Sequence, residues 1–307
     1  MSHPVAITGG TGFVGKAVLA LAAQQGIPIR ALTRRPQEPG DGISWVSGDL
    51  ADTNALDRLV EGAQAVIHIA GVVNAPNRAG FLAGNGEGTQ NLVAAMKRQG
   101  TQRLVHVSSL AAREPQLSDY GWSKAEAERH VRESPLDWTM VRPPAIYGPG
   151  DAELLELFQM AARGFVLLPP GGRLSIIHVD DLARLLLVLA ARKGGETRTA
   201  TYEVDDGQSG GRTHVAFAQA IGHAVGRDRV RTLALPASIL RIAAKVDRFL
   251  RGDKARLTPD RAAYFSHSDW VARTAMHVPR SIWTPSMTIN DGLASTAQSY
   301  RVRGHLR

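Results

Sequence analysis

The feature that most constrains this chain is a glycine-rich turn near its N-terminus. The segment Thr8–Gly15 reads T-G-G-T-G-F-V-G and follows the short apolar run Val5–Ile7. A strand, a glycine turn and a helix in that order are the fingerprint of a dinucleotide-binding βαβ unit. The glycines let the backbone approach a pyrophosphate, and the helix N-terminus supplies free N–H groups and the positive end of its dipole. A purely structural turn is the alternative, but the position between strand and helix favours nucleotide binding.

The rest of the first 150 residues alternates short apolar runs with longer amphipathic stretches. Strands separated by helices of about 10–15 residues indicate βαβ units, and right-handed crossovers then give a doubly wound parallel Rossmann sheet. The predicted strands are Val5–Ile7, Ile27–Leu32, Ile43–Val46, Ala65–Ile69, Arg103–Val107 and Trp138–Val141. The predicted helices are Phe13–Gln25, Thr53–Val60 with a Thr cap, Asn85–Gln99 and Tyr120–Glu133.

The second half of the chain has a less regular pattern. Its predicted helices are Ala152–Arg163, Asp180–Lys193, Thr213–Val225 and Pro236–Arg251, and its predicted strand is Thr201–Val204. We therefore expect an α/β protein with a Rossmann domain over residues 1–150 and a smaller substrate-binding or lid region over residues 151–307. Strands and a helix at about 173–204 are expected to return to the Rossmann sheet. Because ligands of open α/β sheets lie at the carboxyl ends of the strands, the second region is expected to close over that edge.

The end of the second predicted strand bears on cofactor choice. An NAD-selective site usually has an acidic residue here, which bonds to the ribose 2′-hydroxyl. This chain has Arg34 and Arg35 instead, and a guanidinium can bind a 2′-phosphate with two hydrogen bonds. The sequence therefore predicts NADP(H) in preference to NAD(H). The alternative is a pair of exposed, solubilising arginines.

Composition excludes several kinds of site. The 307 residues include no Cys, so disulfides, thiolate metal sites and Cys nucleophiles are ruled out. No metal-binding cluster is visible in the sequence, and no metal is predicted. No apolar run reaches the roughly 18 residues of a membrane-spanning helix, and the first residues do not have the layout of a signal peptide. We therefore expect a soluble, cytoplasmic protein.

The net charge of +8 is concentrated near the C-terminus. Residues 227–307 contain 15 Lys and Arg against 6 Asp and Glu. Such a surface can meet an anionic ligand, a lipid surface or nucleic acid, or be simply a solvated face. No nucleic-acid-binding motif accompanies it, so no nucleic-acid partner is expected.

The helix predicted at Pro236–Arg251 is both amphipathic and basic. Its apolar positions are Ile239, Ile242, Ala243, Val246, Phe249 and Leu250, and its basic positions are Arg241, Lys245, Arg248 and Arg251. A helix of this kind can lie on an anionic membrane surface. We favour the alternative, a lid helix whose apolar side packs on the nucleotide-binding domain.

A second informative motif pairs Tyr120 with Lys124 at the start of a predicted helix. A spacing of four residues places both side chains on one helix face. A phenol has a pKa near 10, and a neighbouring ammonium favours the phenolate, which suits Tyr120 to acid/base chemistry at neutral pH. Ser109 follows the strand Arg103–Val107 and lies eleven residues before Tyr120. Its hydroxyl could bond to a substrate oxygen, which would complete a proton-transfer set beside a hydride carrier.

Together these motifs resemble the extended branch of the short-chain dehydrogenase/reductase superfamily, the NAD-dependent epimerase/dehydratase group. The resemblance runs in order over about residues 4–190. Its matching segments are 8–15, 48–50, 68–71, 85–92, 107–109, 120–124, 142–150 and 178–183.

The resemblance implies a role for each matching residue. Ser109 polarises the substrate oxygen, Tyr120 is the acid/base, and Lys124 binds the nicotinamide ribose and lowers the pKa of Tyr120. The cofactor-binding residues that it implies are Gly9, Thr11, Gly12, Phe13, Val14 and Gly15 at the pyrophosphate, Arg34 and Arg35 at the adenosine phosphate, Asp49 and Leu50 at the adenine, Ala70 and Gly71 at the ribose, Val107, Tyr120 and Lys124, and Pro143, Ala145 and Ile146 toward the nicotinamide. For Asp49 a loop cap is the alternative.

Two departures from the family pattern bear on function. The segment between Ser109 and Tyr120 is short, and Leu110-Ala111-Ala112 stands where dehydratases have an acidic pair. Both features count against a sugar-nucleotide dehydratase or epimerase. The segment 118–128 is more similar to the atypical branch, which includes the nucleotide-binding accessory subunit of respiratory complex I.

Two functions therefore stay open. The first is an NADP(H)-dependent oxidoreductase or epimerase that acts on a small molecule at a carbonyl or alcohol carbon. The second is an NADPH-binding accessory, sensor or assembly protein without turnover, associated with a membrane or a respiratory complex. We expect a monomer or a homodimer. The substrate is not indicated: Arg173 is a candidate for an anionic group and His178 for a polar site residue, and each has a structural alternative.

Overall fold

The computed structural model describes residues 3–252 and 257–306, and the side chain of Arg248 lies outside this description. The strands are β1 (Val5–Thr8), β2 (Ile29–Thr33), β3 (Ile43–Ser47), β4 (Ala65–His68), β5 (Arg103–Val107), β6 (Asp137–Arg142), β7 (Ala145–Tyr147), β8 (Phe165–Leu168), β9 (Arg173–Leu174), β10 (Ile176–His178), β11 (Ala200–Glu203), β12 (Arg212–Thr213), β13 (Arg231–Ala234) and β14 (Asp269–Trp270). The α-helices are α1 (Phe13–Gln24), α2 (Thr53–Val60), α3 (Arg78–Phe81), α4 (Gly88–Gln99), α5 (Asp119–Arg132), α6 (Leu155–Ala162), α7 (Val179–Ala191), α8 (His214–Ala224), α9 (Ala237–Arg251), α10 (Pro259–Ser266) and α11 (Ile289–Val302).

The central feature is a seven-stranded sheet in the order β3-β2-β1-β4-β5-β6-β11. Each neighbouring pair is parallel. Every residue of β1, β4 and β5 is buried, and strands covered on both faces have continuous apolar runs rather than alternating ones. The chain passes from β1 to β2 on one side, and β4 pairs on the other, so the strand order reverses at β1. The predicted doubly wound Rossmann sheet is confirmed.

One predicted helix cap and one predicted helix start are wrong, whereas the bounds Thr53–Val60 predicted for α2 are confirmed. Asp52 caps α2, because its Oδ1 accepts a hydrogen bond from the Ala55 amide, and Thr53 is the first helical residue. The helix predicted from Asn85 begins earlier, at Arg78, and passes through a π-helical turn at Leu82–Glu87 before α4. Glycine weakens a helical pattern, and the glycines at 84, 86 and 88 hide this start in the sequence.

The contacts divide the described residues into two units. The first contains residues 3–143, 180–203 and 278–283, and the second contains 144–179, 204–252, 257–277 and 284–306. The stretch expected to return to the Rossmann sheet is shared between them. β11 and nearly all of α7 belong to the first unit, whereas β9 and β10 belong to the second.

A buried arginine ties α7 to the sheet of the first unit. Arg103 lies on β5 and is 1% exposed. Its Nη2 donates to the Leu189 carbonyl at the end of α7 at 2.8 Å and to Thr139 Oγ1 on β6 at 2.7 Å. Its Nη1 donates to Asp137 Oδ1 at 3.2 Å. Since a buried cation must be paired and hydrogen-bonded, these contacts fix the position of α7.

The second unit has its own core and three small sheets. The sheets are β10-β7, β12-β9-β14 and β13-β8. Phe158 of α6, Phe217 and Ile221 of α8, and Leu293 and Tyr300 of α11 meet in one buried cluster. The prediction of a lid helix with a buried apolar side is wrong for α9, because its large apolar side chains are exposed. Over residues 3–252 and 257–306, no helix is long and apolar enough to cross a membrane.

Candidate functional site

The glycine turn after β1 fits a dinucleotide pyrophosphate. Gly9 has a φ of 77°, and a Cβ on it would lie 2.6 Å from the Ala70 amide nitrogen. A Cβ on Gly15 would lie 2.1 Å from the Gly9 carbonyl oxygen. Gly12 is the N-cap of α1, no described side chain caps this helix, and both Thr11 and Gly12 are exposed. An uncapped helix start with small, exposed residues presents its first N–H groups to an anion.

Arg34 and Arg35 follow β2, next to β1 in the sheet, and both are exposed. Thr33 shapes the turn that holds them: its Oγ1 donates to the Arg35 carbonyl at 2.6 Å and accepts from the Arg35 amide at 3.2 Å. Among the described residues, no ion pair engages either guanidinium. Two uncommitted cations therefore lie at the carboxyl edge of β2, where an adenosine 2′-phosphate would be expected.

Asn85 fixes the segment that follows β4. Its Oδ1 accepts from the Val72 amide at 2.8 Å, and its Nδ2 donates to the Val72 carbonyl at 3.0 Å and to Ser123 Oγ on α5 at 2.8 Å. A Cβ on Gly71 would lie 2.7 Å from Asn85 Oδ1. The π-helical turn that contains Asn85 thus clamps the predicted ribose-side residues Ala70 and Gly71 against α5, and π-helical turns are frequent at functional sites.

Lys124 lies directly beneath this segment. Its side chain is 5% exposed, and its Nζ donates to the Val107 carbonyl at the end of β5 at 2.8 Å. The same Nζ lies 3.8 Å from the position of a Cβ on Gly71. Burial lowers the pKa of Lys124 to about 8, although the carboxylate of Glu128 acts in the opposite direction. A weakly solvated ammonium is therefore held between β5 and the segment after β4.

The first turn of α5 positions Tyr120 beside the segment that carries Ser109. Ser118 caps α5 by accepting from the Gly121 amide at 2.9 Å, and Tyr120 is half-buried in the first turn. A Cβ on Gly121 would lie 2.7 Å from the Ala111 carbonyl oxygen, so the backbone after Ser109 packs directly on this turn. Ser109 Oγ accepts from the Ala111 amide at 3.2 Å, which leaves its own hydrogen for another acceptor.

An ionic network that the sequence analysis missed lies behind these residues. Glu128 is one helical turn beyond Lys124 on α5 and is 1% exposed. Its Oε1 accepts from Ser108 Oγ at 2.6 Å and from Arg142 Nε at 2.7 Å. Arg142 Nη1 also lies 3.5 Å from the buried Glu203. The four-residue spacing from Lys124 to Glu128 was the available signal, but only the fold shows that β5 and β6 bring Ser108 and Arg142 to it.

Replacing Glu128 with Gln is expected to destabilise the protein and alter Lys124. Burial alone would raise the pKa of Glu128, but Arg142, Ser108 and Arg132 outweigh it and hold the pKa below its usual value. The carboxylate therefore stabilises the fold above about pH 4.3, the ordinary Glu pKa, and that stabilisation is lost as the pH falls below it. Removing one member of a buried ion pair costs about 3–5 kcal/mol of the free energy of unfolding. Urea unfolding at neutral and acidic pH measures both effects.

The pH profile of kcat/KM distinguishes an effect of Glu128 on Lys124 from an effect on stability alone. Because the Glu128 carboxylate raises the pKa of Lys124, the Gln variant should lose activity at a lower pH on the alkaline side of its kcat/KM profile. Glu126→Gln is the matched control, because this half-buried glutamate of the same helix pairs with Arg129 and is not among the charges that shift the pKa of Lys124. An unchanged alkaline limb in Glu128→Gln would contradict the coupling to Lys124.

Two buried histidines, His68 and His106, lie near the glycine turn and Lys124. His68 Nδ1 is 2.6 Å from Thr8 Oγ1, its Nε2 is 2.9 Å from Thr89 Oγ1, and its ring centroid is 5.2 Å from that of His106. Burial and then the Lys124 charge lower the pKa of His68 to about 3, and the pKa of His106 is also well below its ordinary value. Both rings are therefore neutral at physiological pH and add no positive charge beneath Lys124.

Other predicted residues have structural partners of their own. Asp49 Oδ1 accepts from the amides of Ala51 and Asp52 at 2.8 and 3.2 Å. Asp49 therefore caps this loop, the role given above as the alternative to adenine binding. The Arg173 side chain donates to the carbonyls of Gly210 and Gly211 and so holds a glycine-rich loop. His178 is buried and its ring packs edge-on against Tyr147 at 5.2 Å.

The remaining predicted cofactor residues are distributed over both units. Leu50 packs on α4, since a Cβ on Gly88 would lie 2.6 Å from its Cδ1. Phe13 and Val14 belong to the first turn of α1, and Pro143 is the last residue of the N-terminal segment of the first unit. Ala145 and Ile146 lie on β7, in the second unit. Their contacts with a cofactor stay predictions. Within the described ranges, no cluster of three His, Asp or Glu could hold a metal ion.

Comparisons with known proteins cover nearly the whole chain. A family model described as NAD(P)H-binding matches residues 9–163. The ceramide reductase of Caulobacter vibrioides is 38% identical over 98% of this chain and 96% of its own length. The 2-alkyl-3-oxoalkanoate reductase of Stenotrophomonas maltophilia is 28% identical over 66% of this chain and 71% of its own. The crystal structure of the UDP-N-acetylglucosamine 4-epimerase from Bacillus cereus has the same fold, with a TM-score of 0.70 and 18% identity over 98% of this chain and 97% of that one.

Proposed function

The chain belongs to the NAD(P)H-binding family of extended short-chain dehydrogenases/reductases, and on that premise we propose that it is an NADPH-dependent reductase of a ketone on a long-chain, ceramide-class lipid. Its relatives confirm the prediction of a nicotinamide-dependent oxidoreductase or epimerase. The observation that carries the proposal is the 38% identity with a ceramide reductase over 98% of this chain, because the match extends through the C-terminal region expected to select the substrate.

The chemistry implied by two relatives' names supports a ketone substrate. A ceramide is an N-acylated long-chain amino alcohol with a secondary hydroxyl, and the corresponding ketone is its oxidised form. The relative that reduces 2-alkyl-3-oxoalkanoates also acts on a compound with an oxo group beside a substituted carbon and an alkyl chain. Both compounds join a ketone to an apolar chain, and neither contains a nucleotide. A lipid ketone therefore agrees better with these relatives than a sugar nucleotide does.

Tyr120 and its neighbours can supply the proton that this reduction requires. When bound, a reduced nicotinamide supplies a hydride to the carbonyl carbon. Tyr120 donates its phenolic proton to the carbonyl oxygen, to which Ser109 donates a hydrogen bond. The Lys124 ammonium then stabilises the phenolate, and its donation to the Val107 carbonyl fixes its orientation. The proton on Tyr120 is restored from solvent.

NADP(H) selectivity is assigned to Arg34 and Arg35, and the variant Arg34→Ala/Arg35→Ala tests it. Each hydrogen bond to a charged group contributes about 1.5–3 kcal/mol. We therefore expect the Kd for NADPH to rise by about 10- to 100-fold while the Kd for NADH changes little. Titration followed by nicotinamide fluorescence measures both constants. Arg192→Ala, an exposed arginine just beyond α7, is the control, and an unchanged preference for NADPH in the double variant would contradict the assignment.

The proposed activity is tested directly with a short-chain, water-dispersible ketone form of a ceramide. The protein and NADPH should convert it to the secondary alcohol, detected by mass spectrometry together with stoichiometric loss of NADPH. The same lipid already in the alcohol form is the control. Conversion of a UDP-sugar to its epimer without reduction of the lipid would favour the epimerase. Tight NADPH binding without turnover of either compound would favour an accessory protein.

A further inference from the structure

We propose that the outer face of α9 is a docking surface for an anionic lipid membrane. The inference goes beyond the proposed function, which concerns the nicotinamide site, and depends on a different part of the chain. The outer face is defined here by Ile239, Ile242, Val246, Phe249 and Leu250. Phe249 is 89% exposed, Leu250 73% and Ile242 62%, and the other two are about half exposed.

This exposed stripe is distinct from the face that α9 buries. The inner face consists of residues 237, 240, 244 and 247, of which Ala244 is fully buried and the others partly. At about 100° per residue, the five residues of the outer face fall within an arc of about 100° on the opposite side of the helix. A soluble helix normally turns its large apolar side chains inward. This helix instead turns two alanines, one leucine and one aspartate inward and places Phe, a second Leu, two Ile and Val outward.

The charges on α9 identify the occupant of the outer face. Arg241 and Lys245 are exposed and flank the stripe on one side. Asp247 is the only acidic residue of the helix, and it already pairs with Arg251 at 3.2 Å. An apolar stripe bordered by cations is the pattern of helices that lie in the interface of an anionic bilayer. Docking of this face against the same face of a second protein molecule would instead bring like charges together.

The chain just before α9 also carries exposed apolar side chains. β8 and β13 form a parallel pair in which Leu233 is directly opposite Leu167. Leu233, Leu167 and Phe165 are exposed, whereas Val166 and Leu168 face the core. β13 ends at Ala234 and α9 begins at Ala237, so two neighbouring elements of one unit leave apolar side chains in solvent. Exposed apolar patches of this kind commonly mark sites of interaction with proteins or membranes.

The test is sedimentation of the full chain with vesicles of phosphatidylglycerol and phosphatidylcholine. The wild-type protein should sediment with the anionic vesicles and much less with pure phosphatidylcholine. Ile242→Ser/Phe249→Ser should lower the partition coefficient at least about 10-fold, since each buried CH₂ contributes about 0.8 kcal/mol. Arg241→Gln/Lys245→Gln should lower it about 25-fold, at about 1 kcal/mol per charge. The controls are Val302→Ser on α11 and Lys97→Gln on α4, which are exposed residues outside the outer face.

Two measurements on the same samples keep this inference separate from the proposed function. Each variant should retain NADPH binding and full turnover of the water-dispersible ketone, because the substituted side chains are exposed and none is among the proposed cofactor-binding or catalytic residues. No sedimentation of the wild-type protein with anionic vesicles would overturn the inference while leaving the lipid-reductase assay unaffected. A change of oligomeric state in Ile242→Ser/Phe249→Ser, measured by light scattering, with no change in vesicle binding would also overturn it.

Discussion

Tyr120→Phe is expected to lower kcat for the ketone substrate by about 100- to 10,000-fold, the range contributed by a general acid. The substitution removes the phenolic oxygen and keeps the ring, which packs near Phe81 with 6.2 Å between ring centroids. The cap of α5 by Ser118 and the Lys124 contact with Val107 do not involve the hydroxyl. Stopped-flow or steady-state loss of NADPH measures kcat, and nicotinamide fluorescence measures cofactor binding.

The loss should appear in kcat with little change in the Kd for NADPH. Tyr202→Phe is the matched control: it lies on β11 of the same unit, and its hydroxyl donates to the Glu196 carbonyl at 2.6 Å. That variant should lose only the roughly 1 kcal/mol of stability of one hydrogen bond and keep its kcat. If the wild-type enzyme reduces the ketone and Tyr120→Phe does so with the same kcat, another group must supply the proton. The assignment of Tyr120 would then be wrong.

Gly15→Ala is expected to impair cofactor binding and the fold together. A Cβ at this position would lie 2.1 Å from the Gly9 carbonyl oxygen and 2.6 Å from Gly10 Cα. Both contacts are with backbone, so the glycine turn itself has to move. Overpacking of this kind typically costs about 1–3 kcal/mol of the free energy of unfolding. Displacing the turn would also remove N–H donors from the pyrophosphate. At about 1.5–3 kcal/mol for each hydrogen bond to a charged group, losing two raises the Kd for NADPH by at least about 100-fold.

Thermal unfolding and a fluorescence titration with NADPH measure the two effects separately. Gly171→Ala is the control, since a Cβ there has no neighbour within 4 Å and the residue has no positive φ. It should unfold and bind NADPH like the wild-type protein. Wild-type NADPH affinity in Gly15→Ala would show that the turn does not hold the pyrophosphate.

The N-terminal half of the fold was predictable because its signals are local. The runs Val5–Thr8, Ala65–His68 and Arg103–Val107 are continuous and apolar because the sheet is covered on both faces. The steric need for glycine at position 15 arises within the turn itself, from the Gly9 carbonyl oxygen. The four-residue spacing of Tyr120 and Lys124 fixes their common helix face. These signals predicted the sheet, the family and the nicotinamide cofactor from the sequence.

The second unit was harder to predict because its strands are short and pair with distant segments. β9 has two residues and pairs with β12 and β14, which lie far along the chain, so neither periodicity nor a turn signal marks it. The helix α11 packs in the core of this unit through Leu293, Ala297 and Tyr300, but its weak pattern did not identify it. The apolar residues of α9 predicted an amphipathic helix, yet periodicity does not tell which side faces solvent.

Sequence alone therefore determined the elements whose cause is local: the glycine turn, the parallel strands, and the Tyr120 and Lys124 pair. Tertiary structure decided which distant groups meet. It brought Ser108 and Arg142 to Glu128, placed Asn85 against Val72 and Ser123, and left Phe249 in solvent. The physical reason is that a dihedral preference or a helical period acts over a few residues. Desolvation and charge pairing depend instead on strands and helices that pack together from far along the chain.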